Sequence, residues 1–141
     1  MIDLSGVFIP AVTPFRPDTG EVDLPAMQEN LRRWAEYPIS GVVLAGTTGE
    51  AVLLEEDERL ALVEAARDVL PTETLLTVGT GLESTRATAR LSKKVAEAGA
   101  DAVLVQPPAY YRGAMNPESL REHYRTVADA SPIPVIVYQA P

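Results

Sequence analysis

The sequence predicts an α/β fold, the first five strands and four helices of a (β/α)8 barrel, and three observations predict it. Five short apolar runs of β-type residues alternate with four longer segments of helical period. The runs are nearly continuous rather than in-out, the pattern of parallel strands covered by helices. The spacing from run to run is about the ~30 residues of a βαβ unit, and no linker, low-complexity tract or charge block divides the chain. Residues 1–141 are therefore read as one partial barrel domain.

The first run is Val7-Phe8-Ile9-Pro10-Ala11-Val12, followed by Thr13-Pro14-Phe15 in place of a phosphate-binding glycine fingerprint. That absence favours a barrel over an open doubly wound sheet. Asp23 is positioned to cap a helix whose stripe is Leu24, Met27, Leu31 and Trp34. Gly41–Ala45 is the second strand. A second helix is expected from about Glu55 to Leu70, with acidic residues in its first turn. Its expected cap position, Leu54, offers no side-chain acceptor. Leu75–Val78 is the third strand. The third helix runs from about Ser84 to Ala98, with Ala87, Leu91 and Val95 inward and Gly99 ending it. Ala102–Gln106 is the fourth strand. Asn116-Pro117 opens the fourth helix as a cap and an N1 proline, with Leu120, Tyr124 and Val127 on its stripe. Pro134–Tyr138 is the fifth strand. A whole barrel needs eight strands in about 250 residues, so a closed barrel is not expected from 141 residues.

Composition removes several function classes. A net charge of -8, with only 12 scattered Lys and Arg, argues against nucleic-acid binding. With no cysteine and one histidine, thiolate and His-based metal sites are out of reach. No signal peptide or membrane-length apolar run is evident, so a cytoplasmic protein is expected.

Active sites in such folds form at the C-terminal ends of the strands. After strand two stands Gly46-Thr47-Thr48-Gly49-Glu50, whose glycines and hydroxyls suit a substrate carboxylate or simply a tight strand-to-helix turn. After strand four stands Gln106-Pro107-Pro108-Ala109-Tyr110-Tyr111-Arg112-Gly113. Its tyrosines could donate protons or pack against a neighbouring subunit. Tyr138 ends strand five, where its hydroxyl would lie over the central cavity; taken alone it reads as a core aromatic. His123 is read as a partly exposed surface residue, and Lys93 and Lys94 as solvated on the third helix. The run Glu55-Glu56-Asp57-Glu58 needs no metal, since acidic residues favour a first helical turn.

Taken together, Gly46-Thr47-Thr48-Gly49-Glu50, the Pro108-Ala109-Tyr110-Tyr111 loop and Tyr138-Gln139-Ala140-Pro141 resemble the dihydrodipicolinate synthase/N-acetylneuraminate lyase family. The resemblance runs from Gly6 to Pro141 and includes Thr13-Pro14-Phe15 and Gly99-Ala100-Asp101. Tyr110-Tyr111-Arg112-Gly113, Ala128–Val135 and Glu83-Ser84-Thr85 look most like the 4-hydroxy-2-oxoglutarate aldolase branch.

The resemblance implies a class I aldolase or lyase acting on pyruvate or a pyruvate-containing 2-oxo acid. In it a strand-six lysine forms an imine with the keto group. Tyr138 would shuttle protons, Thr47 would link it to Tyr110, and the Thr47 and Thr48 amides beside Gly46 would hold the carboxylate. In many members the tyrosine matching Tyr110 enters from a neighbouring subunit, so a homo-oligomer is implied. No metal or organic cofactor is implied, nor a nucleic-acid or membrane partner. The lysine of strand six lies beyond Pro141, as does the segment where dihydrodipicolinate synthases keep a substrate-binding arginine. The 141-residue chain by itself is thus expected to be inactive and prone to aggregate. The alternative is a non-catalytic, self-associating half-barrel.

Overall fold

In the computed structural model, residues 2–139 are described. They form five parallel strands, β1 (Phe8–Pro10), β2 (Gly41–Leu44), β3 (Leu75–Gly79), β4 (Ala102–Val105) and β5 (Val135–Val137). Between them lie α1 (Leu24–Trp34), α2 (Glu56–Arg67), α3 (Thr85–Glu97) and α4 (Pro117–Ala130). The strands pair in chain order, β1-β2-β3-β4-β5. A doubly wound sheet reverses direction at a switch point, whereas a barrel adds each strand beside the last. The observed order is that of a barrel wall.

The register separates two faces. Leu44, Val78, Val103 and Val135 lie side by side, as do Gly79, Leu104 and Ile136 one position on. Because side chains alternate along a strand, these rows point to opposite faces. Leu44, Val78 and Val103 are fully buried in the same core as Met27, Leu31, Leu62, Leu91 and Val127 of the helices. Leu104 and Ile136 are only half-buried. Tyr138 continues the ladder, its N–H donating to the Val105 carbonyl at 2.9 Å. It therefore shares the Ile136 face, the inner face of the wall.

Caps explain where three helices begin. Asp23 accepts the Ala26 N–H at 3.0 Å, Ser84 the Ala87 N–H at 3.3 Å and Asn116 the Ser119 N–H at 2.9 Å. For α2 the expectation needs correction. Its cap is Glu55 rather than Leu54, and the Glu58 carboxylate reaches back to the Glu55 N–H at 2.8 Å. The acidic run that looked like first-turn charge thus also supplies a capping box. The helix ends at Arg67, short of the expected Leu70. In α3 the buried residues are Thr88, Ala89, Leu91, Ser92 and Val95, and Ala87 is only half-buried. Thr88 can face inward because its hydroxyl donates to the Leu82 carbonyl at 3.2 Å. Gly99 takes φ 111 just past α3, a conformation that suits glycine.

The lower ends of the strands are tied by charge. Arg67 pairs with Asp101, and its other nitrogens donate to the Gly99 and Thr74 carbonyls. Asp101 also accepts the Leu76 N–H at 2.8 Å. The Gly99-Ala100-Asp101 motif thus lies at the end of the wall remote from the loops that carry the site. In a barrel that end serves stability.

Candidate active site

The loop after β2 is bracketed by two strained residues. Ala45 (φ 48) and Glu50 (φ 57) both take left-handed backbone conformations, which cost an L-residue roughly 1–3 kcal/mol each. Between them the chain makes a tight turn, with the Gly49 and Ala51 N–H groups donating to the Gly46 carbonyl at 3.1 and 3.2 Å. Neighbours hold this shape from both sides. Thr13, buried after β1, donates its hydroxyl to the Gly49 carbonyl at 2.7 Å. On the other side, Gly79 at the end of β3 lets the Ala45 carbonyl approach so closely that a Cβ would lie 1.8 Å from its oxygen.

This packing leaves Thr47 and Thr48 exposed, and among the described residues neither backbone amide has a hydrogen-bond partner. Unpaired amides in a strand-to-helix turn can donate to an anionic oxygen. Across from it stands Tyr138, whose hydroxyl lies 3.3 Å from the Thr47 hydroxyl. Gly46, Thr47, Gly81, Gln106 and Tyr138 line one small hollow at the upper end of the wall. The structure brings Tyr138, Thr47 and Gly46 to one hollow, with Thr48 next along the loop and outside its lining. Ala140 and Pro141, which complete the Tyr138 motif, lie outside the described residues.

Tyr110 is not brought to this hollow. It is 78% exposed, and Tyr111 71% exposed, and the two rings meet edge to face at 4.9 Å. The Glu83 carboxylate holds their loop by accepting the Ala109 and Tyr110 N–H groups, each at 3.0 Å. Both tyrosines border a separate cleft of about 340 Å³ with Glu83, Thr85, Met115 and His123.

His123 corrects an expectation. It is 4% exposed rather than partly exposed. Its Nδ1 lies 2.8 Å from the Thr85 hydroxyl, and its buried Nε2 has no partner among the described residues. Burial pushes its pKa below the ordinary imidazole value. The signal was legible: His123 stands four residues before Val127, on the same helical stripe. Arg59 was missed for the same reason, since it stands three, four and seven residues before Leu62, Val63 and Ala66. It is 2% exposed and reaches under the hollow. Lys93 and Lys94 are exposed as predicted, Lys94 pairing with Glu56 at 2.5 Å. Among the described residues no cluster of side chains suited to a metal occurs.

With this geometry in place, the comparison with known proteins is decisive. Residues 3–141 match the dihydrodipicolinate synthetase family. The chain belongs to that family. Over 140 residues it is 41% identical to an Emericella nidulans protein named "probable 4-hydroxy-2-oxoglutarate aldolase, mitochondrial", covering 96% of this chain and 45% of that one. Among solved structures, a dihydrodipicolinate synthase family protein of Coccidioides immitis superposes with a TM-score of 0.90 at 34% identity. That match covers 96% of this chain and 44% of the other. The chloride-inhibited dihydrodipicolinate synthase of Acinetobacter baumannii, solved with pyruvate, matches with a TM-score of 0.89 at 33% identity. Here the shares are 99% and 47%. The chain spans about half the length of the relatives it matches, and its strands and helices are those of the N-terminal part of their barrels. Among the described residues no helix is long and apolar enough to cross a membrane.

Proposed function

We propose that this chain carries the carboxylate-binding and proton-transfer part of a Schiff-base aldolase or lyase. Its substrate is pyruvate or a pyruvate-containing 2-oxo acid. The observation that carries the reading is the Thr47–Tyr138 hydroxyl pair at 3.3 Å beside two free loop amides. A 2-oxo acid bound with its carboxylate on the Thr47 and Thr48 amides would present its keto carbon toward the inner face of the wall. Tyr138 would there exchange protons with the reacting atoms, with Thr47 as its relay. Tyr110, exposed on its loop, fits a residue that completes the relay of a second subunit, so a homo-oligomer is part of the proposal. So is location in the cytoplasm. No organic cofactor is needed.

The nucleophile of such chemistry is a lysine amine. The chain's two lysines, Lys93 and Lys94, lie exposed on α3, away from the hollow. The reading therefore assigns the imine to the strand that follows in relatives and expects the 141 residues alone to be inactive. A direct test follows the methyl protons of pyruvate in deuterated water, since imine formation makes them labile. Exchange is expected with a chain extended through the next strand, slowed by Tyr138→Phe and Thr47→Val. Equal exchange in the extended protein and in both variants would remove these residues from the reaction.

A further inference from the structure

Arg59 is an arginine in the wrong place for a surface residue. It lies on the stripe of α2 that turns inward, 2% exposed, among Leu62, Val63 and Ala66. Burying a guanidinium is costly unless its nitrogens are paired. Among the described residues Arg59 takes part in no ion pair. Glu56, one turn earlier, makes its ion pairs with Lys94 and Arg90. Two of the Arg59 nitrogens donate to backbone carbonyls, one to Gly79 at 3.1 Å and one to Ala51. The third, Nε, is buried with no acceptor among the described residues.

The choice of carbonyls is informative. Ala51 follows Glu50, one of the two left-handed residues that bracket the turn, and Gly79 presses against the carbonyl of Ala45, the other. A single side chain thus ties the residue that follows the strained turn to the strand end packed against its start. A neutral side chain of similar volume could fill the space but not hold both carbonyls. A lysine would bring the charge without the planar fork. Arg59 also lines the hollow that Thr47 and Tyr138 share. No carboxylate pairs with it directly among the described residues, although Glu56 lies near enough to favour its charge, so a positive group lies beside the place an anion would occupy.

We propose that Arg59 is the positioning residue of the substrate-carboxylate loop. It holds Gly46–Glu50 in the shape that leaves the Thr47 and Thr48 amides free, and it supplies positive charge beneath them. The charge half of this proposal rests on the 2-oxo acid reading given above; the positioning half does not.

The test compares the protein with Arg59→Met and Arg59→Lys by amide NMR. Two readouts are taken: hydrogen exchange across the chain, and titration with pyruvate against its neutral analogue pyruvamide. In Arg59→Met, exchange at Gly49, Glu50 and Ala51 should rise about tenfold or more while the amides of β3 and β4 keep their protection. Pyruvate affinity, read at Thr47 and Thr48, should fall about tenfold with pyruvamide unaffected, and Arg59→Lys should restore part of it. Unchanged loop exchange together with unchanged pyruvate affinity overturns the proposal. If the unsubstituted protein shows no pyruvate-dependent shift at Thr47 or Thr48, the carboxylate reading and the charge half fail together, and loop exchange alone decides the positioning half. Should Arg59→Met not fold, Arg59→Lys decides. Its loop must exchange faster than the unsubstituted protein's, and equal protection refutes the positioning role.

Discussion

Replacing Gly79 with alanine puts a methyl group where the structure has none to spare. An ideal Cβ at this position would sit 1.8 Å from the Ala45 carbonyl oxygen and 2.7 Å from its carbon. Ordinary carbon–oxygen contact is nearly twice the shorter distance, and the obstacle is backbone, which cannot rotate aside as a side chain can. Ala45 is already held at φ 48, so the turn has little freedom to yield. Overpacking of a core typically costs 1–3 kcal/mol, and a backbone neighbour puts this case in the upper half, roughly 2–3 kcal/mol. Gly113 is the control. It has no atom within 4 Å of its ideal Cβ and no positive φ, so Gly113→Ala should gain about 0.5 kcal/mol by restricting the unfolded chain. Urea unfolding measures both: with a slope of about 2 kcal/mol per molar, the Gly79→Ala midpoint should drop by roughly 1 M. The Thr47 amide resonance should move as well, because the displaced carbonyl leads directly into the loop. Midpoints for the two variants within about 0.2 M of each other would refute the close-approach argument.

Three other outcomes follow from the same geometry. Thr13→Val keeps the shape of the side chain but leaves the buried Gly49 carbonyl without its 2.7 Å donor. A loss of about 1–3 kcal/mol is expected in urea unfolding, and an unchanged midpoint would show that the loop does not depend on β1. His123 is neutral in the fold because burial lowers its pKa. The unfolded chain therefore takes up a proton first as pH falls. Its contribution to stability is complete above pH of about 6.5 and is lost as pH drops toward the lowered folded value. His123→Phe should flatten that limb of the stability–pH curve; parallel curves for the two proteins would contradict it. Val137 on β5 is 59% exposed and Val7, just before β1, 62% exposed. Sedimentation should show self-association, reduced by Val137→Lys; a soluble, cooperatively folding monomer would contradict the expectation for the 141-residue chain.

Most of the wall was legible because its signals are local. Runs such as Gly41–Leu44 and Ala102–Val105 are apolar on both faces, and Asp23 and Asn116 each announce a helix by the acceptor they carry. The Thr47–Tyr138 pairing was legible only through the family resemblance, since the two residues are 91 positions apart and no spacing rule joins them. The cap of α2 escaped because glutamate is an uncommon cap, and its role depends on Glu58 reaching back. Arg59 and His123 escaped for a different reason. Charged and polar residues on an apolar stripe are discounted as surface, and whether they are buried depends on hydrogen-bond partners supplied by other segments. For Arg59 these are Ala51 and Gly79, for His123 it is Thr85. Tyr110 shows the converse, a residue for which the resemblance implies a role that depends on a second subunit.

The most direct measurement of the central claim is borohydride trapping with pyruvate followed by intact-mass spectrometry. It is run on the 141-residue chain and on one extended through the strand that follows in relatives. The account predicts a pyruvate-sized adduct on the extended chain only, mapped to a lysine beyond Pro141. An adduct on the short chain at Lys93 or Lys94 would contradict the placement of the site at the upper end of the wall. No adduct on either, with the extended chain shown to be folded, would leave the family fold standing and move the reading to a non-catalytic, self-associating half-barrel.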